Sequence, residues 1–320
     1  MGKFPKHGLF YFTSPPVLWP YLYQHNTFRL FFVLTRMPYA PLQYIGITSV
    51  ADLVAFVFKG TLPGGDSSLS EVEARKIRKQ RLNSRVADAI GSTNESLSLW
   101  CEDEMSSIST VLEICSKGVH RIIVTSTEKD VPVKILTQSD LITFVLSFAR
   151  EKPSSMVATL LRSPMKFFVT SLPTGNMVQC VSIDTPVLVA LELMLSEKVS
   201  GLPVFDGNGR LVSTVSLSDF RGIHGSNLET LVGETIGLFL RRIERERCMG
   251  QARILPSQAH QEGLRVPLVC SLEATLGEAL QLALMASVHR IWIVDRTRDV
   301  VSVISFTDAI ALFRAPPPNS

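Results

Sequence analysis

Apolar residues fall into short unbroken runs that alternate with stretches where they recur every three or four positions, and this alternation repeats along the chain. Toward the C-terminus, residues 266–270 predict a strand, and 275–287 predict a helix with Leu276, Ala279, Leu280, Ala283 and Leu284 on one face. A strand over 291–294, a polar turn over 295–299, a strand over 300–304 and a helix over 308–313 follow. The unit is strand, helix, strand, strand, helix. The copy before it predicts strand 178–181, helix 185–198, strand 204–205, a hairpin turn over 206–209 with its Asp-Gly and Asn-Gly steps, and strand 211–215. An earlier copy predicts strand 97–100, helix 107–117, and strands 122–125 and 133–136. Nearest the N-terminus only half a unit is legible, as strands 28–33 and 44–47. Pro15, Pro16 and Pro20 fall where its helix would stand, so this first repeat reads as truncated or atypical.

Each copy turns from its last strand into its last helix at a Ser or Thr three residues before an Asp: Ser49 and Asp52, Thr137 and Asp140, Ser216 and Asp219, Ser305 and Asp308. The acids are separated by 88, 79 and 89 residues, so one unit recurs four times. A single Ser/Thr-x-x-Asp is most simply a capping box, in which the hydroxyl and the acid satisfy free backbone amides at a helix start. The same geometry places a carboxylate where it can accept two hydrogen bonds at once, as the paired hydroxyls of a ribose would donate. Exposed amides at a helix N-terminus and nearby cations favour phosphate. Such cations stand at matched places, His120-Arg121 and His289-Arg290, each just before a strand. From the residue after the first helix to the Asp the distances are 20, 19 and 19 residues for His120, Ser200 and His289.

Composition narrows the partners. The 320 residues are 46% hydrophobic, enough for two domains, and the net charge of +3 is too balanced for general attraction to nucleic acid or membrane. A basic stretch over 70–85, with Arg75, Lys76, Arg78, Lys79, Arg81 and Arg85, reads as a solvated connecting helix rather than a nucleic-acid or nuclear-import patch. A mixed-charge helix over 237–247 links the third and fourth copies. The five cysteines lack metal-ligand spacing and are expected to be reduced, mostly buried thiols. No apolar run reaches the roughly 18 residues of a membrane span. Lys6 stands where a myristoylation signal needs Ser or Thr. Nucleophile-elbow, Walker and zinc-hydrolase motifs are absent and Gly207 and Gly209 lie in a hairpin, so no enzyme, metal or cofactor is expected. The expected location is the cytoplasm, with the nucleus as a second.

Val-His-Arg before an apolar strand, Ser-Gly-Leu-Pro-Val at 200–204 and Val-Ser-Leu-Ser-Asp at 215–219 resemble cystathionine beta-synthase (CBS) repeats. Four in one chain resemble the gamma subunits of AMP-activated and sucrose-non-fermenting-type protein kinases, especially the plant gamma-like subunits. The resemblance implies an α/β (α+β) fold of tandem CBS repeats paired into two Bateman modules. Its division is an atypical N-terminus and partial repeat over 1–60, a connecting helix over 61–85, repeats over 86–150, 151–232 and 233–315, and a disordered tail over 316–320. It implies a non-catalytic regulatory subunit that binds AMP, ADP or ATP and couples energy status to a kinase through alpha and beta partner subunits. Asp140, Asp219 and Asp308, with Thr137, Ser216 and Ser305, would bind ribose. His120, Arg121, His289 and Arg290 would bind phosphate. Asp52, in the damaged repeat, is expected to cap a helix without holding nucleotide. A free-standing CBS regulator of another enzyme and a ligand-free CBS scaffold are the alternatives.

Overall fold

A computed structural model describes residues 31–35, 43–64, 69–126 apart from 94 and 98, 134–172, 178–222, 227–250, 260–261 and 263–314. The expectations for the proline-rich first 30 residues, the turn before residue 134 and the tail over 316–320 lie outside the described residues. The first copy contributes β1 (Phe31–Thr35), β2 (Gln43–Thr48), α1 (Val50–Phe58) and α2 (Glu71–Leu82). The second is β3 (Cys101–Asp103), α3 (Ile108–Ser116), β4 (Arg121–Thr125), β5 (Lys134–Thr137) and α4 (Gln138–Glu151), followed by α5 (Met156–Arg162). The third is β6 (Val181–Ser182), α6 (Val187–Ser196), β7 (Gly201–Phe205), β8 (Leu211–Ser216) and a 3-10 turn over Leu217–Gly222, then α7 (Leu228–Gly233) and α8 (Ile236–Gly250). After the short pair β9 (His260–Gln261) and β10 (Leu264–Arg265), the fourth is β11 (Val269–Ser271), α9 (Leu276–Met285), β12 (Arg290–Val294), β13 (Val300–Ser305) and α10 (Phe306–Arg314).

Each complete copy is a three-stranded sheet in which the opening strand pairs parallel to the middle one and the middle strand pairs antiparallel to the last. The same turn leads out of the first helix every time. Gly118, Lys198 and Ser287, each two residues before the matched His or Ser, adopt positive φ of 90°, 55° and 54°. In the third and fourth copies the next amide, Val199 or Val288, donates to the carbonyl five residues back at 2.9 or 3.0 Å. That is a Schellman stop, and it satisfies carbonyls left free at the helix end.

Three local expectations need correction. The opening strands start three or four residues later than the apolar runs, at 101, 181 and 269, because strand character begins only where the parallel ladder engages, as in Cys101↔Ile123 and Val269↔Trp292. The helix expected after Ser216 is the 3-10 turn Leu217–Gly222, since Gly222 gives an α-helix no favourable continuation. Nor is the basic helix α2 simply solvated. Its first turn carries Glu71 and Glu73 with Ser70 as cap, but Ala74, Arg78 and Leu82 are buried. Arg78, only 1% exposed, donates to Thr61 Oγ1 at 2.9 Å, to the Thr61 carbonyl and to Glu71 at 2.8 Å, and lies 5.5 Å over the Phe58 ring. Its guanidinium can enter the core because each of its three nitrogens donates a hydrogen bond and it lies over an aromatic face.

The copies do not associate in sequence order. One compact unit combines residues 1–99 with 180–266, the first and third copies, and another combines 100–179 with 267–320, the second and fourth. The first unit's core gathers Leu53, Phe58 and Val86 with Met194, Phe220 and Phe239. The second gathers Ile122, Leu141 and Phe168 with Leu276, Ile293 and Phe306.

Candidate functional site

All four Asp residues make the capping box that the sequence pattern predicts. One carboxylate oxygen, Oδ2, accepts from the amide and the hydroxyl of the Ser or Thr three residues earlier: 2.8 and 2.8 Å at Asp52, 2.9 and 2.7 Å at Asp140, 2.8 and 2.9 Å at Asp219, and 2.8 and 2.7 Å at Asp308. The second oxygen, Oδ1, divides the set. In the first unit it is engaged by the protein. Asp52 is 1% exposed and its Oδ1 accepts from the hydroxyls of Thr93 and Ser96, the latter at 2.6 Å. Asp219 is 5% exposed and its Oδ1 lies 3.6 Å from the Arg265 guanidinium. In the second unit Asp140 is exposed and Asp308 half-buried, and neither Oδ1 has a protein partner among the described residues.

Strand register brings the cationic residues to the same ends. Arg121 is the cross-strand partner of Thr137, and Arg290 that of Ser305. In the third copy Gly201 faces Ser216 at this position, so no cation stands there. The His120 and His289 carbonyls each accept, at 3.1 Å, from the first amide of the following helix, Gln138 or Phe306. The His289 ring stacks on Phe306 with centroids 5.5 Å apart. The backbone of each copy of the second unit thus brings a Ser or Thr, an Asp, a His and an Arg to one helix start. The N-termini of α4 and α10 are joined directly, because Gln138 Nε2 donates to Thr307 Oγ1 at 2.9 Å. A hollow of about 380 Å3 beside Phe148, Lys152 and Pro153 sits at the far end of α4 and is no part of this arrangement.

Sequence reasoning missed Thr93, Ser96 and Arg265, which close the first unit's carboxylates from 41, 44 and 46 residues away. Nothing local marks such partners. Gln138 could have been found by superposing the copies, where the residue after the Ser or Thr is Val50, Gln138, Leu217 and Phe306. The cysteine expectation is half right, with Cys115 and Cys270 buried but Cys101 and Cys180 exposed. Burial pushes the Cys115 and Cys270 thiols up to about 11.

A sequence profile of the CBS domain matches residues 169–223 and 264–315, the third and fourth copies. Those two copies are CBS domains. Among relatives of the chain, the SNF1-related protein kinase regulatory subunit gamma-like PV42b of Arabidopsis thaliana is 26% identical over 85% of this chain and 76% of its own length. The 5′-AMP-activated protein kinase subunit gamma-3 of Bos taurus is 27% identical over 63% of this chain and 38% of its own. A Methanocaldococcus jannaschii structure, described as a candidate archaeal homologue of g-AMPK, shares the fold with a TM-score of 0.58 at 15% identity, covering 91% of this chain and 90% of its own. Among the described residues no helix is long and apolar enough to cross a membrane, and no group of three or more His, Cys, Asp or Glu side chains is placed to hold a metal ion.

Proposed function

We propose that this chain is a non-catalytic, gamma-like regulatory subunit that binds adenine nucleotides in its second unit and biases a kinase through alpha and beta partner subunits. The observation that carries the reading is the contrast between units. Among the described residues Asp140 and Asp308 keep an acceptor oxygen without a protein partner, at helix starts whose strands carry a His-Arg pair, whereas Asp52 and Asp219 have theirs taken by Thr93, Ser96 and Arg265. Asp140 and Asp308 would take ribose hydroxyls, assisted by Thr137 and Ser305. His120, Arg121, His289 and Arg290 would take phosphates, for which a guanidinium fork and a helix N-terminus are both suited. Asp219 and Ser216 are left outside the ligand set. Binding regulates only if the nucleotide favours one of two conformations, and the kinship with gamma-like subunits supports a kinase as the element so biased.

Calorimetric titration of the full chain with AMP, ADP and ATP tests the reading. Asp140→Ala and Asp308→Ala should each weaken binding by about 1.5 to 3 kcal/mol, the usual worth of hydrogen bonds to a charged group. Absence of binding at millimolar nucleotide would leave the CBS copies as an assembly scaffold, a role to which the closed first unit already conforms. Co-purification with kinase alpha and beta subunits tests the partner, and recovery of neither would favour a free-standing regulator.

A further inference from the structure

We propose that Gln138 couples the two half-sites of the second unit, so that a nucleotide at one changes the affinity of the other; this rests on the nucleotide reading above. Gln138 is the first residue of α4 and 4% exposed, at a position where the other copies bury Val50, Leu217 and Phe306. A buried amide is costly unless its hydrogens are satisfied, so its presence where three copies place an apolar side chain calls for a specific partner. Its Nε2 lies 2.9 Å from Thr307 Oγ1, 3.2 Å from the Cys115 carbonyl and 3.3 Å from the Val119 carbonyl.

These contacts reach elements of both proposed half-sites. Val119 precedes His120-Arg121 and follows Gly118, whose φ of 90° makes the turn that carries them. Gln138 itself opens the helix that carries Asp140. Thr307 adjoins Asp308 in the first turn of α10, in the other copy of the pair. A phosphate drawing on the His120 turn, or a ribose drawing on Asp140, therefore pulls on a side chain whose best hydrogen bond is to the opposite half-site. Gln138 is a positioning residue in this scheme. It touches no ligand and acts by fixing one helix start against the other.

The test uses AMP and the full chain. Each half-site is titrated in the otherwise unaltered chain and again with the other half-site disabled by Asp140→Ala or Asp308→Ala, so that the change in the surviving site's Kd measures coupling. We expect a change of about 5-fold or more with Thr307 intact, close to none in a Thr307→Val background, and the full change in Thr307→Ser, which keeps the hydroxyl. Gln138→Leu, which installs the apolar type found in the other copies, should behave as Thr307→Val does. A role in stability alone would shift thermal unfolding and both affinities together without altering the coupling factor. Coupling that persists in Thr307→Val, or is lacking in the unmodified chain while both sites bind, overturns the proposal. Absence of any AMP binding would defeat the nucleotide reading itself, and the first titration distinguishes that outcome.

Discussion

The same substitution made at two copies of one motif should have unequal consequences, and Asp52→Ala against Asp140→Ala is the sharpest case. Asp52 is 1% exposed and accepts four hydrogen bonds, from the Ser49 amide and hydroxyl and from the Thr93 and Ser96 hydroxyls. Truncation removes a helix cap, worth about 1 kcal/mol. It also leaves buried donors facing a carboxylate-sized gap, and each stranded donor costs about 1 to 3 kcal/mol. Because the hydroxyls can turn toward neighbouring carbonyls, as Ser96 already does toward Thr93 at 3.2 Å, the sum does not reach its upper limit. A loss of about 4 kcal/mol follows. At Asp140 the carboxylate is exposed and holds only the cap, so its loss is about 1 kcal/mol. Urea unfolding followed by far-UV circular dichroism reads the global loss. Hydrogen exchange over 50–58 and 138–151 assigns it to a unit, since the two need not unfold together. Nucleotide affinity should respond in the opposite order, falling for Asp140→Ala and holding for Asp52→Ala under conditions where the chain remains folded. Equal destabilisation within about 1 kcal/mol would show that the engaged Oδ1 of Asp52 contributes nothing, and the division between units would lose its energetic basis.

Three further outcomes are expected. Arg78→Ala should cost about 3 kcal/mol by stripping the Thr61 carbonyl and Glu71 of their partner, while Arg78→Met, which refills the space over Phe58 without a charge, should cost less than half as much in urea unfolding; a larger loss for the Met variant would contradict this. Iodoacetamide at pH 8 should modify exposed Cys101 and Cys180 and spare Cys115 and Cys270, whose thiols stay protonated, until the chain is denatured; rapid native labelling of either buried thiol, read by mass spectrometry, would refute their placement. The carboxyls of Glu278, held low first by the Thr275 amide, and Asp295, held low first by the Thr297 hydroxyl, have folded values below their unfolded ones. They therefore stabilise above the unfolded range and lose that contribution as pH falls through the folded values. Glu278→Gln should flatten the decline of thermal stability below about pH 4.5, and unchanged curves would discount the cap.

Where local physics governs, the chain is legible. The apolar face that predicts the helix of the fourth copy has Leu276, Ala279, Leu280 and Ala283 buried and Leu284 half-buried, and the four Ser/Thr-x-x-Asp boxes form as their spacing requires. Apolar runs could not locate the opening strands, because those two- and three-residue strands are defined by a partner some twenty residues away. Charge misdirected the reading of α2, since periodicity counts Arg78 as polar while its guanidinium is satisfied inside the core. The motif positions Asp140, Asp308, His120 and His289 are legible in the sequence, but the contrast between the units in how their carboxylates are engaged is not. That contrast depends on Thr93, Ser96 and Arg265, and only tertiary structure delivers them.

The interleaving of the copies has a consequence for how the chain is made. A polypeptide leaving the ribosome completes its second copy well before residue 266, yet that copy's core waits for Leu276, Ile293 and Phe306, and the first copy's α1 waits for Phe220 and Phe239. Neither unit can close while the chain is only half made, so two half-cores with exposed apolar faces must coexist during synthesis. Cutting between the second and third copies would yield two fragments, each holding halves of different cores, and recovery of fold would then require the fragments to find each other.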